Sequence, residues 1–298
     1  MNPKSRGAVY ATTIAAITAA IFIFWSPRDA PRKVRLSGIT TTTDGKVQFI
    51  TVEPNVDLEV IDFGGSGRVL ILLAGYGGTA HSFADFASRL TPDYHVYAIT
   101  RRGFGESSVP VSGYSADRLG DDVVAVLDAL KLSRPVLVGH SMAGEELSDV
   151  ATRHPEKIAG LIYLDAGYAY ALYDKVNGSF PMNLSAVLRR VEVLVPARFL
   201  SKKLAIFAGQ RKFTELHVPV LTIFADPHDL GARFKNDPSG RAKAEALDIV
   251  RTERQVKAFE RQVPSAKVVR LPHASHVIFK SNPTEVLREM NAFIRTLP

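Results

Sequence analysis

The chain contains no cysteine. Disulfides, thiol nucleophiles and cysteine metal sites are therefore excluded. Between residues 7 and 25 there is no charged residue either. That run is rich in Ala, Ile, Thr and Phe, and it approaches the roughly 20 apolar residues that cross a bilayer. No small-x-small cleavage site lies near its end at Ile21-Phe22-Ile23-Phe24-Trp25. The expectation is an uncleaved transmembrane signal-anchor over 7–25, preceded by a basic N-terminus over 1–6, with a cleaved signal peptide as the alternative. The first reading puts the remaining chain at a membrane and outside the cytoplasm. The second makes it secreted or periplasmic. No internal repeat is visible.

What is present is globular composition. Across 298 residues, 46% are hydrophobic and 22% charged, enough for one large α/β domain or two small ones. The net charge is +7. Several basic residues flank the apolar run (Lys4, Arg6, Arg28, Arg32, Lys33 and Arg35), so the sign calls for no nucleic-acid partner.

Residues 26–45 are rich in Pro, Arg, Ser, Thr and Gly and read as a linker. Segments 46–52 and 58–63 read as an antiparallel pair of strands. The continuous apolar run 69–73 suits a sheet covered on both faces. Further strands are expected at 95–99, 136–138, 158–164, 218–224 and 267–271. Helical patterns occupy 79–90, 116–130, the stretch to about 154, and 282–297. In the second of these, Asp121 and Asp122 are expected to face away from the stripe of Leu119, Val123, Val124, Leu127 and Leu130. The alternation predicts an α/β fold over 46–298 with a mostly parallel, doubly wound sheet. Residues 167–217 interrupt it with interleaved aromatic and basic side chains, and are expected to form a small helical lid insertion.

One stretch carries chemistry on its face: Val136-Leu137-Val138-Gly139-His140-Ser141-Met142-Ala143-Gly144. An apolar strand runs straight into a helix, with a serine at the turn and small residues two positions either side. Such a turn strains the backbone, pushes the hydroxyl out at the carboxyl edge of the sheet and aims free helix N–H groups at the same spot. A serine nucleophile needs a base. Pro272-His273-Ala274-Ser275-His276 follows the last strand, and His276 is favoured over His273. The base needs a carboxylate to orient it. Phe224-Ala225-Asp226-Pro227-His228-Asp229 follows another strand, and Asp229 is the first choice, with Asp226 and Asp165 as alternatives. His140 and His228 are taken as packing or surface residues. For the oxyanion, backbone N–H donors are expected from Met142 and from Tyr76 in Leu73-Ala74-Gly75-Tyr76-Gly77-Gly78.

The glycine loop has a rival reading. Gly75-x-Gly77-x-x-Ala80 fits a dinucleotide fingerprint, and Arg101 at the end of the next strand would then suit a 2′-phosphate. Against it, two strands precede the loop, and no tyrosine has a lysine four residues later.

With these motifs together, the chain resembles the α/β-hydrolase superfamily over roughly 46–298. Ser141, Asp229 and His276 follow its order of nucleophile, acid and histidine. Ala74-Gly75-Tyr76 stands where the family usually has His-Gly-x, and Arg101-Arg102-Gly103-Phe104-Gly105-Glu106-Ser107 resembles its loop after the next strand. Serine at the nucleophile position departs from epoxide hydrolases and haloalkane dehalogenases, which use aspartate. The resemblance implies a serine esterase or related acyl hydrolase acting on a small-molecule acyl substrate, with neither metal nor organic cofactor. Perhydrolase or haloperoxidase chemistry on the same triad, a non-catalytic ligand-binding role, and the NADP-dependent reductase are the alternatives.

Overall fold

Hydrophobic strands followed by amphipathic helices dictate the architecture. The computed structural model describes residues 40–42, 45–168, 170, 216–234 and 236–298. The expected membrane segment 7–25, most of the linker and nearly all of the insertion 167–217 lie outside the described residues. Among the described residues, no helix is long and apolar enough to cross a membrane.

In chain order the strands are β1 (Thr40–Thr42), β2 (Gly45–Glu53), β3 (Val56–Gly64), β4 (Arg68–Leu73), β5 (Tyr94–Ile99), β6 (Val136–His140), β7 (Gly160–Leu164), β8 (Val220–Ala225) and β9 (Lys267–Leu271). The main helices are α1 (Ala84–Leu90), α2 (Ala116–Ala129), α3 (Gly144–Arg153), α4 (Pro238–Gln262), the short α5 (Ile278–Ser281) and α6 (Pro283–Ile294). Among the described residues the strands form one sheet in the order β1-β2-β3-β5-β4-β6-β7-β8-β9. The pairs β1–β2, β2–β3 and β3–β5 are antiparallel, and all the others are parallel.

The period-2 pleat sorts the core into two layers. Leu70 and Leu72 point to one face, against Phe86 and Leu90 of α1 and Met290 and Phe293 of α6. Ile71 and Leu73 point to the other, against Val123 and Leu127 of α2, Leu147 and Val150 of α3, and Phe259 of α4. Leu70, Ile71 and Leu72 are fully buried. Each such side chain is worth about 1.5–3 kcal/mol relative to exposure, before the entropy of ordering is counted.

Three differences from the sequence reading have physical causes. Thr40–Thr42, assigned to the linker, pairs with the start of β2, Thr42 opposite Gly45. Helix α4 was not anticipated, because its surface is largely charged and its buried residues include Asp248 and Thr252. Asp122, expected to face outward, is buried, because the fully buried Arg102 guanidinium needs a carboxylate. It receives Arg102 Nε and Nη2 in a bidentate pair, both at 2.6 Å.

The sheet order reverses at β4: the chain steps to β5 on one side, then returns to β6 on the other. A crevice opens at the carboxyl ends of the strands where such a reversal occurs. The loops after β4, β6, β7, β8 and β9 all leave the sheet at that edge.

Candidate active site

Ser141 sits at the carboxyl edge of the sheet beside that reversal, at the junction of β6 and a single 3₁₀ turn, Ser141–Ala143, that leads into α3. Its φ of +53° is left-handed, a conformation that costs a non-glycine residue strain and persists where surroundings enforce it. Those surroundings are visible atom by atom. A Cβ at Gly139 would lie 2.9 Å from Leu147 and 3.2 Å from the Ala143 backbone. A Cβ at Gly75 would lie 2.9 Å from Ser141 Cβ and 2.9 Å from His140 Nδ1, so only glycine lets the β4 loop come this close. A Cβ at Gly144 would sit 2.1 Å from the Ala166 carbonyl oxygen. The second glycine therefore stands one position later than in G-x-S-x-G, where the β7 loop presses on the start of α3.

His276, in the loop after β9, places Nε2 2.8 Å from Ser141 Oγ. Its Nδ1 is 2.6 Å from Asp165 Oδ2. The carboxylate beside the histidine thus comes from the β7 loop. Asp229, the first choice from sequence, is not brought to His276; its Oδ1 accepts the Gly231 amide at 2.8 Å and shapes its own loop. Asp226 pairs with Arg270. The reason is positional. Asp165 directly follows β7, the strand beside β6, whereas His228 occupies the part of the β8 loop that faces the same spot. His273 is exposed, with its amide on the Pro227 carbonyl.

Asp165 is buried and itself left-handed at φ +49°. Its Oδ1 accepts the Ala225 amide at 3.2 Å, and its Oδ2 accepts His276 and, at 2.8 Å, His228 Nε2. Burial alone would push the carboxyl up, but the hydrogen bonds from His228 and His276 and the charge they bring hold it well below the usual carboxylate range. A hydroxyl bonded to an imidazole whose other nitrogen rests on an ionised, buried carboxylate can hand over its proton and become a nucleophile.

His228, expected to be a surface or satisfied residue, joins the cluster together with Asp248, which no sequence motif marks. Between Asp165 and the buried Asp248, both ring nitrogens of His228 meet carboxylates, Nδ1 lying 3.0 Å from Asp248 Oδ2. Burial opposes a charge on the ring, but bonds to Asp165 and Asp248 overcome it and push the imidazole up to about 10. The only available signal was a histidine within the Asp226–Asp229 loop. Asp165, His228 and His276 bring their donor atoms within 4.8 Å of one another, as chelating groups do. Here the two rings each aim a nitrogen at one carboxylate oxygen, which is the geometry of N–H protons already shared. His140 is buried and donates Nε2 to the His276 carbonyl at 2.9 Å. Burial, with the neighbouring His276, lowers it to about 4, so it is a neutral brace for the β9 loop.

Of the expected oxyanion donors, one directly follows Ser141 and the other adjoins Gly75, whose backbone comes close to Ser141. Met142 follows it in the 3₁₀ turn, where first-turn amides have no partner within the helix. Tyr76 lies next to Gly75, its ring edge-on to Phe104 at 5.4 Å between centroids. Arg101, the residue that would read a nucleotide phosphate, is buried and committed elsewhere. It grips Glu146 with Nε and Nη2, and donates Nη2 to the Ala74 carbonyl at 2.9 Å.

A model of the alpha/beta hydrolase family matches residues 70–289. The chain is 23% identical over 254 residues to the dihydrolipoyllysine-residue acetyltransferase component of the acetoin cleaving system of Pseudomonas putida, covering 80% of this chain and 66% of that one. It is 33% identical over 119 residues to a fluoroacetate dehalogenase of Burkholderia sp, covering 38% of this chain and 39% of that one. The matches thus span less than two thirds of these relatives' own length. Among solved structures, E-2-(acetamidomethylene)succinate hydrolase superposes with a TM-score of 0.59 at 21% identity, covering 84% of this chain and 99% of that one, a likeness of fold. With the sheet order, the strained turn and the matched family model in agreement, the chain belongs to the alpha/beta hydrolase family.

Proposed function

We propose that this hydrolase cleaves a carboxylic ester or related acyl bond through Ser141, His276 and Asp165. The observation that carries the reading is the continuous line of short contacts, Ser141 Oγ to His276 Nε2 at 2.8 Å and His276 Nδ1 to Asp165 Oδ2 at 2.6 Å. His276 Nε2 takes the proton as Ser141 Oγ attacks the acyl carbon. Asp165 keeps the proton on Nδ1 in the resting enzyme and stabilises the imidazolium as it forms. Amides of Tyr76 and Met142 hold the oxyanion. The imidazolium then protonates the departing alcohol, and a water activated by the same nitrogen attacks the acyl-enzyme and releases the acid.

An apolar segment at 7–25 would hold this activity at a membrane, with the domain outside the cytoplasm. That reading rests on the sequence pattern alone.

Turnover of p-nitrophenyl esters of increasing acyl length tests the assignment and sizes the acyl pocket. Ser141→Ala is expected to lower kcat by about 10⁴-fold or more at every chain length. If the variant kept most of its ester turnover, Ser141 would not be the nucleophile.

A further inference from the structure

The triad carboxylate does not end the chain of contacts. Asp165 Oδ2 accepts two imidazoles at once, His276 at 2.6 Å and His228 at 2.8 Å. Carboxylates only accept, so each facing ring nitrogen donates. His228 meets a carboxylate on both sides and therefore carries both N–H protons and a positive charge. It cannot swing away. Asp248 Oδ2 accepts its Nδ1 at 3.0 Å and its backbone amide at 2.9 Å. Asp248 is buried on α4, and its other oxygen is held by Arg251 Nη2.

We propose that His228 is a positioning residue of the site: clamped by Asp248, it fixes the orientation of Asp165 and supplies a standing positive charge that sets how basic His276 is. The proposal rests on the Ser141–His276–Asp165 reading. A lone buried carboxylate would attract a proton onto His276 strongly. Beside a cation the same carboxylate does so less. The elevated proton affinity of His228 agrees with this role. The charged and titratable groups against the pair include Asp165 on the β7 loop, Asp248 with Arg251 on α4, and His276 with His140 behind it and Lys280 beside His140; Asp226 and Asp229 flank His228 in its own loop. Arg251 balances Asp248, as Arg270 balances Asp226.

The second-order rate of Ser141 labelling by a fluorophosphonate, followed against pH on the full chain, reads the base directly. His228→Gln keeps a donor toward Asp165 and removes the charge. The acid limb of the profile is expected to move up by about one pH unit, which slows labelling about tenfold below the limb, while the plateau falls less than tenfold. A purely structural role would lower the plateau and leave the limb in place, and that result would overturn the proposal. Should the variant fail to fold, ¹⁵N-histidine NMR of the unaltered chain decides. His228 is expected to hold both ring N–H protons to beyond pH 9. Titration near pH 6.5 would overturn the proposal. Failure of the underlying triad reading is separable, since the unaltered chain would then not label at Ser141 at all.

Discussion

Asp165 accepts His276, His228 and the Ala225 amide on its two carboxylate oxygens, so a single aspartate side chain joins three loops. Ser141 and His276 each stand in a context visible in the sequence, the serine in a strand-to-helix turn between small residues and the histidine in a loop after a strand, and the structure brings the two within hydrogen-bond distance. The carboxylate that meets His276 was not legible. Aspartates follow both β7 and β8, and all of them emerge at one edge of the sheet. Which one touches His276 depends on the pairing of β7 beside β6 and on the register of β8 and β9, where Asp229 N is bonded to Ala274 O and its side chain turns into its own loop. Two substitutions separate the candidates. Asp165→Asn replaces an acceptor with an amide that can donate toward Nδ1, favouring the wrong tautomer, and should lower kcat by about 10⁴-fold. Asp229→Asn should change kcat by less than about threefold, since it loses only part of a turn contact. Ester turnover of the purified variants, with circular dichroism to verify folding, reads both.

At the scale of elements, the β6–α3 turn and the β7 loop are one interlocked unit. The sequence showed Ala143 and Gly144 as a displaced version of a small-residue pattern, without saying why the glycine came late. The Ala166 carbonyl supplies the reason. Gly144→Ala would put a methyl group 2.1 Å from that backbone oxygen, with no flexible side chain to yield. Overpacking of this kind costs about 1–3 kcal/mol. Because Ala166 adjoins Asp165, activity should fall with stability. Thermal unfolding and kcat measured on one preparation check both. Helix α4 was missed for a related reason. Its buried residues are Asp248, Thr252, Val256, Ala258 and Phe259, and the first two of them are polar. A search for apolar periodicity passes over a face whose first turns serve an ionic contact rather than the core. The strands were easy by contrast, because burial on both faces makes them continuous apolar runs.

Across the whole molecule, stability should depend on pH through the same cluster. The Asp165 carboxyl is depressed in the fold, so its contribution is fully present above the ordinary carboxylate value near 3.9 and is lost as pH falls through its lower folded value. His228 is raised to about 10, so its contribution is fully present below the unfolded value near 6.5 and is lost as pH rises through about 10. The unaltered chain should therefore lose thermal stability between about pH 6.5 and 10. His228→Gln should start lower and decline less over that window. Parallel curves for the two, by circular dichroism melts, would remove the buried imidazolium. The labelling reaction itself remains the most direct test of all. Incubation of the full chain with a fluorophosphonate, followed by intact mass and peptide mapping, should give one adduct, on Ser141, and none in Ser141→Ala or His276→Ala. An adduct on another residue, or undiminished labelling in the His276 variant, would contradict acyl transfer through Ser141, His276 and Asp165.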